Sequence, residues 1–286
     1  MKRISKDWQD YECIDAGNGE KLERWGDVTL LRPDPQVIWK TTEDLSKYKG
    51  LNTHYHRIGG GGEWEYLKST PKEWVVSWRD LKFKVKPMGF KHTGLFPEQA
   101  TNWATMIDLI KGADRPIKVL NLFAYTGGAT VACTAAGAVV THVDSAKNMV
   151  ERAGENLEAS GLRQKPVRFI VDDCKKFVQR EIKRGNKYDA IIMDPPSYGR
   201  GPTGEMWKIE ENLYDLVELC KEVLSDNPLF FLINSYTTGL QPTVMQSILC
   251  KVLNVKTEKV DAYEVALPTE EGIFLPCGCS AMYVNK

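Results

Sequence analysis

The sequence has no apolar run long enough to span a bilayer, so no membrane partner is expected. Its opening residues, Met1-Lys2-Arg3-Ile4-Ser5-Lys6-Asp7, lack the apolar core of a secretory signal. Neither sign of charge is in excess. Lys+Arg and Asp+Glu both number 38 in 286 residues, so overall charge does not advertise a polyanion partner. The seven cysteines form no regular framework, which argues for a reduced compartment and against a disulfide scaffold. A cytoplasmic location is expected. What remains, 42% apolar and 27% charged residues, is ordinary for a globular enzyme. The length accommodates an α/β domain of roughly 200 residues and a smaller module.

Two further absences narrow the chemistry. The glycine turn that follows the apolar run at 119–122 lacks the Gly-x-Gly-x-x-Gly spacing that seats a pyrophosphate on a helix N-terminus, and it carries no Walker-type lysine. Instead, the apolar run Val119-Leu120-Asn121-Leu122 leads through Phe123-Ala124-Tyr125-Thr126 into the adjacent pair Gly127-Gly128 and then small residues. This predicts a buried strand, a tight turn and a helix that starts close against it. A glycine turn lets backbone amides approach a ligand. The next apolar run, Ala138 to Val143, ends in Asp144, where a carboxylate at a parallel strand tip can accept both hydrogen bonds of a ribose diol. A nucleoside cofactor without phosphates fits best, and S-adenosyl-L-methionine is the candidate. A degenerate dinucleotide site and a ligand-free turn are the alternatives.

A third element, Tyr188-Asp189-Ala190-Ile191-Ile192-Met193-Asp194-Pro195-Pro196-Ser197-Tyr198-Gly199, reads as a buried strand ending in a stiff loop. The prolines fix φ and remove donors. Asp194 beside the Pro195 carbonyl can hold an amino group, and Tyr198 can stack on a planar target. A proline turn after a core strand is the bland alternative.

With these three elements in order, the chain resembles the class I S-adenosylmethionine-dependent methyltransferases. Within them it is similar to the large-subunit ribosomal RNA base methyltransferases and their uncharacterised relatives. The matching residues are Thr93-Gly94-Leu95-Phe96-Pro97-Glu98-Gln99, Asn121 to Thr130, Val143-Asp144-Ser145, Asp172-Asp173-Cys174, and Asp194 to Gly201. The resemblance covers about residues 80 to 286 and is weak before that. It implies a Rossmann-like, seven-stranded α/β sheet whose last strand alone is antiparallel. It also implies cofactor contacts at Phe96, Gln99, Asn121, Phe123, Ala124, Tyr125, Thr126, Gly127, Gly128, Asp144, Ser145, Asp173, Cys174 and Asp194. Asp173 takes the position that accepts the adenine amino group, although two acids before a helix also complement its dipole. The catalytic residues implied are Asp194, Pro195 and Tyr198, and the substrate implied is a base of ribosomal RNA. A protein or small-molecule substrate is the alternative.

The target atom decides what else is required. Methylating carbon 5 of cytosine takes a cysteine thiolate that adds to carbon 6. In family members that do so, this cysteine sits just beyond the fifth strand. Here the corresponding run is Asn234-Ser235-Tyr236-Thr237-Thr238-Gly239, and only Cys277 and Cys279 could substitute. That Cys-x-Cys pair lacks two nearby soft ligands for zinc, so structural thiols are expected.

Residues 1 to 90 read as a small β-rich module and 91 to 286 as the cofactor domain. Trp8, Tyr11, Trp25, Trp39, Tyr48, Tyr55, Trp64, Tyr66, Trp74 and Trp78 crowd the front. With basic residues they could hold single-stranded RNA, but an aromatic core for a small β layer is the favoured reading. Lys82, Lys84 and Lys86 alternate with apolar residues and would share one strand face, more often solvated than phosphate-bound. The run Gly59 to Gly62 is a hinge or a closing loop.

Overall fold

The computed structural model describes residues 1–200 and 206–285; Gly201 of the matching motif lies outside them. The chain divides into two compact units. One comprises Ile4–Thr101 and Ala266–Cys277; the other comprises Met1–Arg3, Asn102–Val265 and Gly278–Lys286.

After strand β1 (Lys2–Ile4), the first of these units is built from β2 (Tyr11–Gly17), β3 (Glu20–Trp25), β4 (Val28–Pro33), β5 (Thr53–Ile58) and β6 (Gly61–Tyr66). These five form one sheet in chain order, followed by a separate hairpin of β7 (Trp74–Trp78) and β8 (Leu81–Val85). Tyr11, Trp25, Tyr55 and Trp78 are buried, so aromatics do supply the core of the β layer. Leu81, Phe83 and Val85 are buried while Lys82 is exposed and Lys84 and Lys86 are half-buried, the period-2 pattern of a one-sided strand. The run Gly59 to Gly62 lies within a β-hairpin. Ile58 pairs with Gly61, so the glycines turn the β5–β6 hairpin and begin its second strand.

An ion cluster is buried in the same unit. Arg32 Nε donates to Glu23 Oε2 at 2.7 Å, Tyr11 donates to Glu23 Oε1 at 2.8 Å, and Lys21 lies 3.2 Å from Asp34. Burial alone would raise the Glu23 carboxyl, but Arg32 and Lys21 beside it hold it below its ordinary range. A buried carboxylate is tolerated because its charge is paired and its lone pairs are occupied.

The second unit is a layered α/β structure. Its elements are α1 (Ala100–Lys111), β9 (Lys118–Leu122), α2 (Gly128–Ala135), β10 (Val139–Asp144), α3 (Lys147–Ala159), β11 (Val167–Val171), α4 (Cys174–Lys183) and β12 (Ala190–Met193). A short hairpin, β13 (Tyr198–Arg200) and β14 (Met206–Lys208), leads into α5 (Ile209–Lys221), β15 (Phe230–Ser235) and α6 (Pro242–Leu253). The hairpin of β16 (Val260–Pro268) and β17 (Phe274–Val284) closes the chain.

The large sheet runs β1-β16-β17-β15-β12-β9-β10-β11. From β11 to β15 every pairing is parallel, and β17 lies antiparallel against β15. The seven expected strands are therefore present. An eighth, β1, extends the edge at β16; three residues with no marked apolar run gave no sequence signal. The inner strands are continuous apolar runs because helices cover both faces of a parallel sheet. Leu120, Leu122, Ile191, Met193, Phe231 and Ile233 accordingly pack in one core with Phe177, Leu213, Leu216 and Leu249 from α4, α5 and α6.

Candidate active site

Strand order fixes where a ligand can sit. The chain winds outward from β9 through β10 to β11, then returns to place β12 on the other side of β9. Such a reversal leaves a crevice at the carboxyl ends of the two central strands. Register brings the candidate residues to that edge. Leu122 pairs with Val143 and with Met193, and Met193 pairs with Ile233. Phe123, Asp144, Asp194 and Asn234 are thus the next residues on four adjacent strands.

The loop after β9 is under local backbone constraint. Phe123 and Tyr125 take φ of 53° and 49°, and Gly127, capping α2, takes φ of 83°. Left-handed conformations at bulky residues cost on the order of 1–3 kcal/mol each and persist where the surroundings enforce them. Here the enforcement is explicit. Tyr125 N donates to Asp144 Oδ2 at 2.8 Å, Ala124 N to the Val143 carbonyl at 3.1 Å, and Phe123 N to Cys174 Sγ at 3.3 Å. The glycines permit close packing on both sides. A Cβ on Gly127 would come within 2.7 Å of the Ala153 Cβ on α3, and one on Gly128 within 2.5 Å of the Trp103 ring on α1. Underneath, Asn121 Nδ2 donates to Thr130 Oγ1 at 3.0 Å, and Thr130 Oγ1 lies 2.9 Å from His142 Nδ1. Burial lowers His142 to about 3, so this network is neutral.

Asp144 receives two amides, Tyr125 N on one oxygen and Ala146 N on the other at 2.9 Å. Each carboxylate oxygen has a second lone pair, which leaves acceptor capacity for a diol. Ser145 is exposed beside it. Asp173 caps α4 by accepting from Lys176 N at 2.8 Å, so the capping role holds; Asp172 pairs with Arg180. Cys174 is buried and its thiol is pushed up by burial, which makes it a packing group beneath the Phe123 amide. Asn121, Ala124, Thr126 and Gly127 are likewise buried, and Asn156 Nδ2 donates to the Thr126 carbonyl at 2.8 Å. These residues shape the turn from below, while Phe123, Tyr125, Asp144, Asp173 and Asp194 are half-buried at its surface. Phe96 and Gln99 belong to the other unit, where Phe96 packs 5.5 Å from the His92 ring and its carbonyl accepts from Gln99 N.

Pro195 is buried and Tyr198 is 52% exposed on β13, so its ring can be reached by a planar partner. The proline corner is less open than the sequence implies. Trp207 on β14 donates its indole N–H to the Pro196 carbonyl at 2.6 Å and sets its ring 5.7 Å from Phe123. Ser197 Oγ lies 2.7 Å from Thr237 Oγ1, joining this loop to the one after β15. Trp207 was not singled out because the β13–β14 hairpin lies outside the strand–helix alternation.

A second missed feature is a buried polar chain ending at Asp194. Tyr263 donates to Asn102 Oδ1 at 2.6 Å, Asn102 Nδ2 to Ser280 Oγ at 3.0 Å, Ser280 Oγ to Asn234 Oδ1 at 2.8 Å, and Asn234 Nδ2 to Asp194 Oδ1 at 3.0 Å. Every donor points toward the carboxylate, so successive bonds polarise one another. Only Asn234, directly after an apolar strand run, carried any signal in the sequence.

The thiols do not supply a nucleophile. Cys279 donates to the Leu240 carbonyl at 3.1 Å, and burial raises it to about 11; burial likewise raises Cys277 well above its ordinary range. Both are protonated at neutral pH.

The residues at this edge suit S-adenosylmethionine better than a dinucleotide. The β9–α2 loop carries no cation, and Asp144, Asp173 and Asp194 would repel a pyrophosphate but favour a sulfonium. The family of S-adenosylmethionine-dependent methyltransferases matches residues 36–230, more than half of the chain. The chain belongs to this family.

Among solved structures, the methyltransferase resembles the SAM-dependent methyltransferase from Agrobacterium tumefaciens, with TM-score 0.93 and 33% identity over 100% of this chain and 94% of that one. It also shares its fold with SMU.776, crystallised with SAH, at TM-score 0.76 and 19% identity over 98% of this chain and 76% of that one. Curated relatives include ribosomal RNA large subunit methyltransferase K/L of Shewanella loihica, 34% identical over 61% of this chain and 23% of that protein. The protein of the same name from Shewanella oneidensis is 28% identical over 81% of this chain and 31% of its own length. The chain spans about half or less of the length of the curated relatives it matches.

Proposed function

We propose that this methyltransferase modifies a base of large-subunit ribosomal RNA, at an atom that needs no covalent enzyme intermediate. The observation that carries the reading is the gathering of Asp144, Asp194 and the Gly127 turn at one carboxyl edge of the sheet, with no thiolate beside it. When bound, S-adenosylmethionine supplies a methyl group on sulfur for direct in-line transfer. Asp144 holds the ribose hydroxyls, Asp173 accepts from the adenine amino group, and Phe123, Ala124, Tyr125, Thr126, Gly127 and Gly128 form the floor. Asp194 and the Pro195 carbonyl hold the nucleophilic nitrogen of the base, with Tyr198 stacked on its ring. Catalysis of this kind is mainly positioning, since alignment of the reacting atoms removes much of the barrier.

The ribosomal RNA assignment is supported by what the K/L relatives are named for. Mass spectrometry of digested ribosomal RNA from cells with and without the gene tests it; one methylated nucleoside should vanish. Unchanged digests would reject RNA as the substrate. The balanced charge of 38 basic and 38 acidic residues favours a second reading, a protein or small-molecule substrate. Under that reading, labelled methyl transferred to a cell extract would survive ribonuclease. Seven free cysteines support a cytoplasmic location, as does the lack, among the described residues, of a helix long and apolar enough to cross a membrane.

A further inference from the structure

The sequence has four histidines, and two of them, His92 and His142, are held neutral by burial. The other two, His54 and His56, stand two residues apart on β5. Strand alternation therefore directs both to one face. We propose that this face binds a divalent cation of the zinc class through His54, His56 and Glu65, with Glu20 orienting the His54 ring.

Four observations carry the assignment. The two imidazole rings lie with centroids 4.0 Å apart. Each directs its Nε2 to a carboxylate: His54 to Glu20 Oε1 at 2.6 Å and His56 to Glu65 Oε2 at 2.7 Å. Glu65 is also the residue directly across the ladder from His54. Finally, one ligand atom from each of His54, His56 and Glu65 lies within 4.8 Å of the other two. A cation bonded at about 2.1 Å holds tetrahedral ligands roughly 3.4 Å apart, so the group closes on an ion by small side-chain rotations.

The scaffold for these side chains is stiff. Tyr55, between the histidines, points to the opposite face, where it is buried edge-on to Trp64 at 5.2 Å. Trp64 in turn donates to the Met88 carbonyl at 2.7 Å. A Cβ on Gly62 would meet the His56 carbonyl oxygen at 2.2 Å, so bare glycine lets the two strands close beside the ligands. Two imidazole nitrogens and a carboxylate form a borderline donor set, suited to zinc, cobalt or nickel over magnesium or calcium. His56 and Glu65 are half-exposed, which leaves a coordination position for water. No ligand is shared with the carboxyl edge of the large sheet.

The test uses the full chain stripped with a chelator. Titration with zinc by calorimetry should saturate at one equivalent, while magnesium gives no saturable heat. Cobalt should give visible bands of an N/O site without the intense thiolate charge-transfer band that Cys277 or Cys279 would produce. His56→Ala and Glu65→Gln should each weaken zinc binding at least tenfold. Zinc should raise the melting temperature of the stripped parent chain but not of the His56→Ala variant, and the two stripped proteins should melt together. Unsaturable binding, a thiolate band, or unchanged affinity in His56→Ala would each overturn the assignment.

Discussion

Asp144 does two jobs with one carboxylate: it ties the constrained turn down through the Tyr125 and Ala146 amides and presents its remaining lone pairs to solvent. Asp144→Asn keeps the volume but replaces one acceptor oxygen with a donor that faces an amide. We expect cofactor affinity, measured by calorimetry, to fall at least tenfold, about 1.4 kcal/mol. Undiminished affinity would remove the ribose role from Asp144. Gly128 tests the turn from another side. Gly128→Ala sets a methyl within 2.5 Å of the Trp103 ring, and overpacking of that kind costs about 1–3 kcal/mol. Chemical denaturation should show the loss, and Trp103→Leu should restore part of it.

At the level of elements, the polar chain from Tyr263 to Asp194 links α1, β16, β17, β15 and the tip of β12. Ser280→Ala removes its middle and leaves the Asn102 donor and the Asn234 acceptor buried without that partner, at a cost of about 1–3 kcal/mol. If Asp194 holds the target, the variant should also lose turnover while its affinity for the cofactor, measured by calorimetry, stays within twofold. Equal losses in both would make the chain a purely structural brace. Ser280→Thr, which keeps the hydroxyl, should recover turnover.

Why this chain went unread while the sheet did not is a matter of range. Val119-Leu120-Asn121-Leu122 and Ala190-Ile191-Ile192-Met193 declare buried parallel strands because apolar periodicity is local, and Gly127-Gly128 declares the turn for the same reason. Asp144 and Asp194 were legible because a strand tip is a position in sequence. Ser280, Asn102 and Tyr263 meet only when β17 inserts between β15 and β16, a pairing that no short window of sequence contains. Trp207 escaped for the same reason: its partners, Phe123 and Pro196, come from two other loops.

At the scale of the whole molecule, each unit carries one histidine held neutral: His142 lowered to about 3 in one, His92 lowered to about 4 in the other, both chiefly by burial. Unfolding frees both to protonate near their ordinary range. Their contribution to stability is complete above that range and is lost as pH falls toward the folded values. Going from pH 7 to pH 5, we expect a loss of about 2 kcal/mol from His142 alone. Melting curves of His142→Gln should show a shallower acid slope over that interval; an unaltered slope would mean the imidazole is not neutral when folded. The route of the chain has a consequence of another kind. It begins in the large sheet, leaves to build the other unit, returns at residue 102, and near its end crosses over again at the tip of the β16–β17 hairpin. No single cut releases either half. Anyone transplanting the half built on residues 102–265 would have to redesign the 266–277 tip as well, so exchange of either unit by a single cut and join is closed to this architecture.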